Sequence, residues 1–415
     1  MTAIGKSASP PGGAAAEVSF RIASRYAVGV HHAFSALQPA GTESQALALL
    51  PQVDDAAVTR DDRIRAVVVA GEVGGSAAAL QRLDRFPIET SSEGNDLAGL
   101  RALYDTGNAD ALTPAQRQAL RDRHGWYGRL ALSYGHGGDD PDRRQVLRPA
   151  IRTAVVLMAA TAAGIGALLT GLVLLVVALV RWTGGTMIAA YRRAETPTGP
   201  FLEAFAAYIA GMVAVALMVR WLLGERPASS WLMVVILPFA FFWPLLRGVS
   251  RADLRAGLGW HTGRGVWREV GAGFVGYLAG LPVLAAGALV SVLLQRVSGS
   301  DTAHPIIEQF GQGGWRTAQL FLLAVVWAPV VEETMFRGAF YHHLRARLPW
   351  PAAAVLVGLL FAAVHPQGWA AIPALGAIAF SLAAVREWRG SIVAPVVAHA
   401  LNNGVVTLLV VVLLA

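Results

Sequence analysis

Between Leu322 and His343 the chain reads LLAVVWAPVVEETMFRGAFYHH, an apolar run broken by two glutamates and an arginine. A carboxylate at membrane depth costs roughly 2.5 to 3.5 kcal/mol on insertion scales, so Glu332, Glu333 and Arg337 need compensation or a purpose. On a helix Glu333 and Arg337 are four apart and share a face, which allows an intrahelical ion pair. Glu332 then sits about 100° away and needs a partner of its own. Candidates follow on later apolar stretches: FAAVH sets Phe361 and His365 four apart, and HALNN does the same for His399 and Asn403. Two histidines, a free glutamate and an asparagine that converge inside a membrane can bind and deprotonate a water and then stabilise an oxyanion. Taken singly, Glu333 with Arg337 reads as a structural ion pair, and either histidine as a packing residue. Together with an unpaired Glu332 they read as one site.

The elements that must position these groups are membrane helices. Of 415 residues 55% are hydrophobic and 15% charged, with the polar minority concentrated in the first third, which is not the composition of one large soluble domain. From Ala154 onward we count about eight apolar runs near the 20-residue span length. They are Ala154 to Val180, Phe205 to Leu223, Trp231 to Leu246, Gly271 to Leu294, Ala318 to Tyr341, Pro351 to His365, Trp369 to Val385 and Ile392 to Leu414. The third and sixth are short. Helices are the form such runs take, because lipid offers the backbone no hydrogen bonds. Gly276 and Gly280 have GxxxG spacing, a close-packing pattern. The expected fold is all-α: a polytopic membrane helical bundle, residues 151–415, behind a small, mainly helical polar region, residues 1–150.

That first region is punctuated by SASPPGG, TSSEGND and GHGGDDPD. Ile64, Val67, Val68, Leu80 and Leu83 approximate a helical stripe that Gly71, Gly74 and Gly75 weaken. Thr113, Pro114 and Gln116 spell a capping box. No catalytic motif occurs here, its partner is unknown, and HGWYGRLALSYG fits core packing and a partner surface equally. The first residues have no signal-peptide core.

Net charge is +7, but the arginines fall mostly between apolar runs, as topogenic residues rather than a nucleic-acid surface. The expected partners are membrane lipid and a polypeptide substrate, with no nucleic acid. Cysteine is absent, which removes disulfides and thiolate chemistry. Arg181, Arg192, Arg193, Arg251, Arg255, Arg264, Arg345, Arg347, Arg386 and Arg389 are assigned to the loops on one face. Arg220, Arg226, Arg296 and Arg316 are assigned to the other. Positive-inside makes the first face, near the charged motifs, cytoplasmic; eight spans would then leave the polar region outside. His304, His342 and His343 fall at helix ends or in loops and need no special role.

EETMFR, FAAVH and HALNN match EExxxR, FxxxH and HxxxN, in the order used on late helices by the CPBP intramembrane proteases, which include the type II CAAX prenyl endopeptidases. The chain resembles that family over roughly Trp231 to Leu414. The resemblance implies a helical membrane protease in which Glu332 and His365 activate water, Glu333 and Arg337 hold the geometry, and His399 with Asn403 binds the oxyanion. It implies a peptide substrate at the membrane, a CAAX protein or another peptide, and a multi-pass protein, expected in a bacterial cell membrane. Zinc on Glu332, His365 and His399, or no metal at all, both agree with these residues. A reading from another class, a non-proteolytic scaffold or proton-linked carrier, uses the same charged cluster.

Overall fold

A computed structural model of the chain describes residues 13–35, 45–86, 92–218, 234, 237–298 and 314–414. Among them there is no strand, and the expected all-α class holds. The chain divides into two compact units, Met1–Ala163 with Leu414, and Gly164–Leu413 with Ala415.

The first unit contains α1 (Gly13–Ser35), α2 (Leu50–Ala56), α3 (Arg60–Leu83), α4 (Ser92–Thr106), α5 (Pro114–His124), α6 (Trp126–Leu132) and the start of α7 (Pro141–Thr183). Thr113 and Gln116 form the capping box in front of α5, and Thr59 with Asp62 forms a second one in front of α3. At the last of its three glycines α3 is interrupted by a kink, so that two helical segments meet there. Gly75 alone leaves helical geometry, with φ 76°, and the missing side chain of Gly71 makes room for the Tyr104 ring. Trp126, Tyr127 and Leu130 are buried with Phe20, Leu103 and Tyr104, so this segment is core. The buried Glu72 carboxylate accepts from Arg143 at 2.5 Å and pairs with His32 at 2.6 Å. Burial alone would raise its pKa, but the His32 hydrogen bond and the Arg143 charge outweigh that and hold it below 4.5.

The second unit continues α7 and adds α8 (Gly199–Met218), α9 (Leu237–Leu246), α10 (Arg251–Leu258), α11 (Val266–Ser298), α12 (Gly314–Arg345), α13 (Trp350–Ala363), α14 (Ile372–Arg389) and α15 (Val393–Leu414). Six helices are long and apolar enough to cross a membrane: α7, α8, α11, α12, the stretch Trp369–Arg389 that contains α14, and α15. The expected count of eight is therefore not reached among the described residues. Among the described residues, the third and sixth runs are represented by α9 and α13, which are shorter apolar helices. Parts of the second and third runs, within 219–233 and 235–236, lie outside the described residues, as do His304, Arg220 and Arg226.

Three arginines assigned to loops are instead buried on helices. Arg345 is bidentate to Glu387 at 2.9 and 2.8 Å, Arg389 to Glu269 at 3.0 and 2.6 Å, and Arg386 lies buried on α14. The sequence hid the two ion pairs because Glu269 and Glu387 sit in the same junctions, where charge invites a surface reading, and it hid Arg386 because its acceptors are backbone carbonyls, of Arg337 and Gly257. Gly276 and Gly280 do serve close packing: a Cβ on them would meet Val385 at 2.5 Å and Ser381 at 3.0 Å, so α11 lies directly against α14.

Candidate active site

The helix that carries both glutamates is not a plain α-helix. Within α12, Leu323–Trp327 and Thr334–Phe340 are π-helical, and the α-helical turn Ala328–Glu333 lies between them. A π-turn shifts the hydrogen bond by one residue, is rare, and is frequently found at functional sites. Carbonyls in both wide turns are taken by side chains of neighbouring helices: Asn403 on α15 donates to Ala324 O at 2.9 Å, and Arg386 on α14 donates to Arg337 O at 3.2 Å. Arg337 answers by donating to Ala379 O of α14 at 3.0 Å.

Glu333 and Arg337 form the ion pair at 2.8 Å, with both side chains 0% exposed. His399 Nδ1 also donates to Glu333 Oε1, at 2.8 Å. That bond places the proton on Nδ1 and turns Nε2 toward Glu332, whose Oε2 is 3.8 Å away. Glu332 is 22% exposed at its side chain and, among the described residues, reaches no arginine. That Glu332 stands apart from Arg337 and needs another partner was the expectation from sequence; the double engagement of Glu333 was not, because nothing in the linear order ties it to His399 on another helix.

His365 is not on its helix. α13 stops at Ala363, as the approach of Pro366 requires, and His365 follows in the turn, where Nδ1 donates to Phe361 O at 2.6 Å. A carbonyl only accepts, so Nδ1 carries the proton and Nε2 is left as an acceptor. Phe361 links the two histidines: its ring centre is 4.3 Å from that of His365 and 5.8 Å from that of His399, and the Arg337 guanidinium lies 4.8 Å over its face. Among the described residues, Asn402 donates to its neighbour alone, Asn403 Oδ1, at 3.3 Å.

His342 and His343 lie in the last turn of α12, against the Tyr191 hydroxyl at 2.8 Å and the Thr198 carbonyl at 3.0 Å. Both belong to packing at the helix end. Sequence reading missed Arg386 as a support for the site. The available sign was its spacing, seven residues after Ala379 in one helix, which puts both on the side facing α12.

Among the described residues, no group of three or more histidines and acids is arranged to hold a metal ion. Glu332, His365 and His399 do not converge as a ligand set.

Comparison with curated proteins gives no match, and comparison with solved structures gives none. The helices that assemble these groups nevertheless have a known counterpart: residues 314–405 match the family model described as Type II CAAX prenyl endopeptidase Rce1-like, so this segment, on its apolar helices, is similar to a membrane endopeptidase.

Proposed function

We propose that the chain is an intramembrane endopeptidase that hydrolyses peptide bonds of membrane-associated polypeptides, with Glu332 as the general base toward water. The observation that carries this reading is the placement of His399 between two carboxylates of different character. One is sealed and paired with Arg337; the other is partly open and faces His399 at 3.8 Å. Glu332 takes a proton from water as it attacks the scissile carbonyl and returns it to the amide nitrogen as the C–N bond breaks, and His365 offers a second acceptor through Nε2. Glu333 with Arg337 fixes the ring of His399. Carrying a proton on each nitrogen, His399 donates to Glu333 through one and to the developing oxyanion through the other. With that proton the charges of Glu332, Glu333, Arg337 and His399 sum to zero, which lowers the cost of the cluster in a low-dielectric setting. An asparagine amide has two N–H groups, so Asn403 keeps one for the oxyanion while the other holds Ala324. In domain terms, residues 151–415 are the protease and 1–150 an accessory helical region.

Glu332→Gln tests this directly. The expected result is a loss of about 10² to 10⁴ in cleavage rate, with melting close to wild type, on a membrane-peptide substrate that the wild-type chain cuts. Equal rates for the two proteins would remove Glu332 from the mechanism. Proton movement that persists in a chain without peptidase activity would favour the carrier reading.

A further inference from the structure

A cleft of about 520 Å³ opens in the second unit between α7, α11 and α14, away from every residue assigned to the chemistry. Its walls include Leu174, Val177, Val275, Ala279, Val283 and Phe380, an apolar lining. One end is different. There α7 finishes, α11 begins and α14 finishes, and three arginines, Arg181, Arg264 and Arg389, border the cleft beside Trp388. Arg389 is neutralised by its bidentate pair with Glu269, whose Oε1 also takes the Arg264 backbone N–H. Arg181 and Arg264 are exposed, and among the described residues no carboxylate pairs with either. Two guanidinium groups without counter-ions therefore stand at the mouth of an apolar slot on membrane-spanning helices.

We infer that this cleft binds an anionic phospholipid of the surrounding bilayer, its acyl chain between α7 and α11 and its phosphodiester at Arg181 and Arg264. Charge complementarity selects the occupant. A phosphodiester accepts bidentate hydrogen bonds that match the guanidinium fork, while an apolar chain of about this section fills the lining. A zwitterionic lipid brings a compensating cation and loses the advantage. Trp388, at the same end, is the residue type that settles at the headgroup level. The site does not depend on the proposed peptidase reading.

The test is native mass spectrometry of the full chain in mild detergent, after incubation with phosphatidylglycerol and phosphatidylcholine of identical acyl chains. Wild type is expected to retain phosphatidylglycerol roughly thirtyfold over phosphatidylcholine, the scale of two surface arginines. Arg181→Gln with Arg264→Gln is expected to bring the two lipids to parity, and Val283→Trp to reduce retention of both. Should Val283→Trp lower melting, Ala279→Leu serves the same purpose. Equal retention in wild type, or a preference that survives the double arginine variant, overturns the proposal. So does full competition by glycerol phosphate, which would make the site one for a free phosphate, or undiminished retention in the folded cleft-filling variant.

Discussion

Glu332 and Glu333 are adjacent in sequence and opposite in physical situation. A fully buried ion pair is weak evidence of net stability, but breaking it by neutralising one partner leaves a buried charge alone and costs about 3 to 5 kcal/mol. Glu333→Gln is therefore expected to lower the melting temperature well below that of Glu332→Gln, because it strands the Arg337 charge and leaves His399 only a neutral amide oxygen as acceptor. Equal melting of the two variants would mean that Arg337 is satisfied by Ala379 O alone. The adjacent asparagines separate in the same way. Asn403→Ala is expected to cost about 10² to 10³ in kcat with little change in KM, by analogy with other oxyanion donors. Asn402→Ala, whose amide reaches only Asn403, should cost much less. A larger kcat loss at Asn402 would put the wrong face of α15 in the site. At this scale the residue types were legible because ionisable groups are rare and costly in apolar helices. The pairings were not, since His399 and Glu333 are brought together only by the packing of α15 on α12.

For the elements, helix identity was readable and helix kind was not. Periodicity and apolar length mark α12 as a helix, but a π-turn changes one hydrogen-bond register per turn and leaves no compositional trace. The end of α13 was legible in principle from Pro366, although the i,i+4 spacing of Phe361 and His365 invited the helix to continue. Close approach of α11 to α14 was suggested by Gly276 and Gly280, and it extends beyond them. A Cβ on Gly287 would lie 2.5 Å from the backbone oxygen of Pro373, whereas one on Gly276 would meet the side chain of Val385. A carbonyl in a helix cannot step aside as a methyl can. Gly287→Ala is thus expected to destabilise by about 1 to 3 kcal/mol, the range for overpacking, and Gly276→Ala by less. Thermal melting of both in one detergent decides it, and the reverse order would show that α14 yields more easily than its side chains.

The whole molecule joins a polar helical unit to an apolar one, and this contrast was plain from composition alone. What composition could not show is the ionic core of the first unit. Glu72 titrates below its ordinary 4.5 because its His32 and Arg143 partners outweigh its burial. A lowered folded-state pKa gives stability that is complete above the unfolded value and is lost as pH falls through the folded one. Hydrogen-exchange protection in α3 is therefore expected to decline on acidification below pH 4.5. In Glu72→Gln that dependence should be weaker; an unchanged profile would assign the acid sensitivity to other carboxylates. The two units also share one continuous helix. α7 runs 43 residues without interruption, and the unit boundary falls inside it, between Ala163 and Gly164. Its first turns supply Leu147, Ala150 and Ala154 to the core of the N-terminal unit, and the backbone of Ala150 lies so close to Gly29 that a Cβ there would collide with it. Portability is what this arrangement removes. A chain cut in the loop before Pro141 gives one fragment lacking three core residues and another displaying them to solvent, so neither half can be transplanted onto a foreign partner at that joint, and chimaeras must be spliced beyond Ala163, within the membrane-spanning part of the helix.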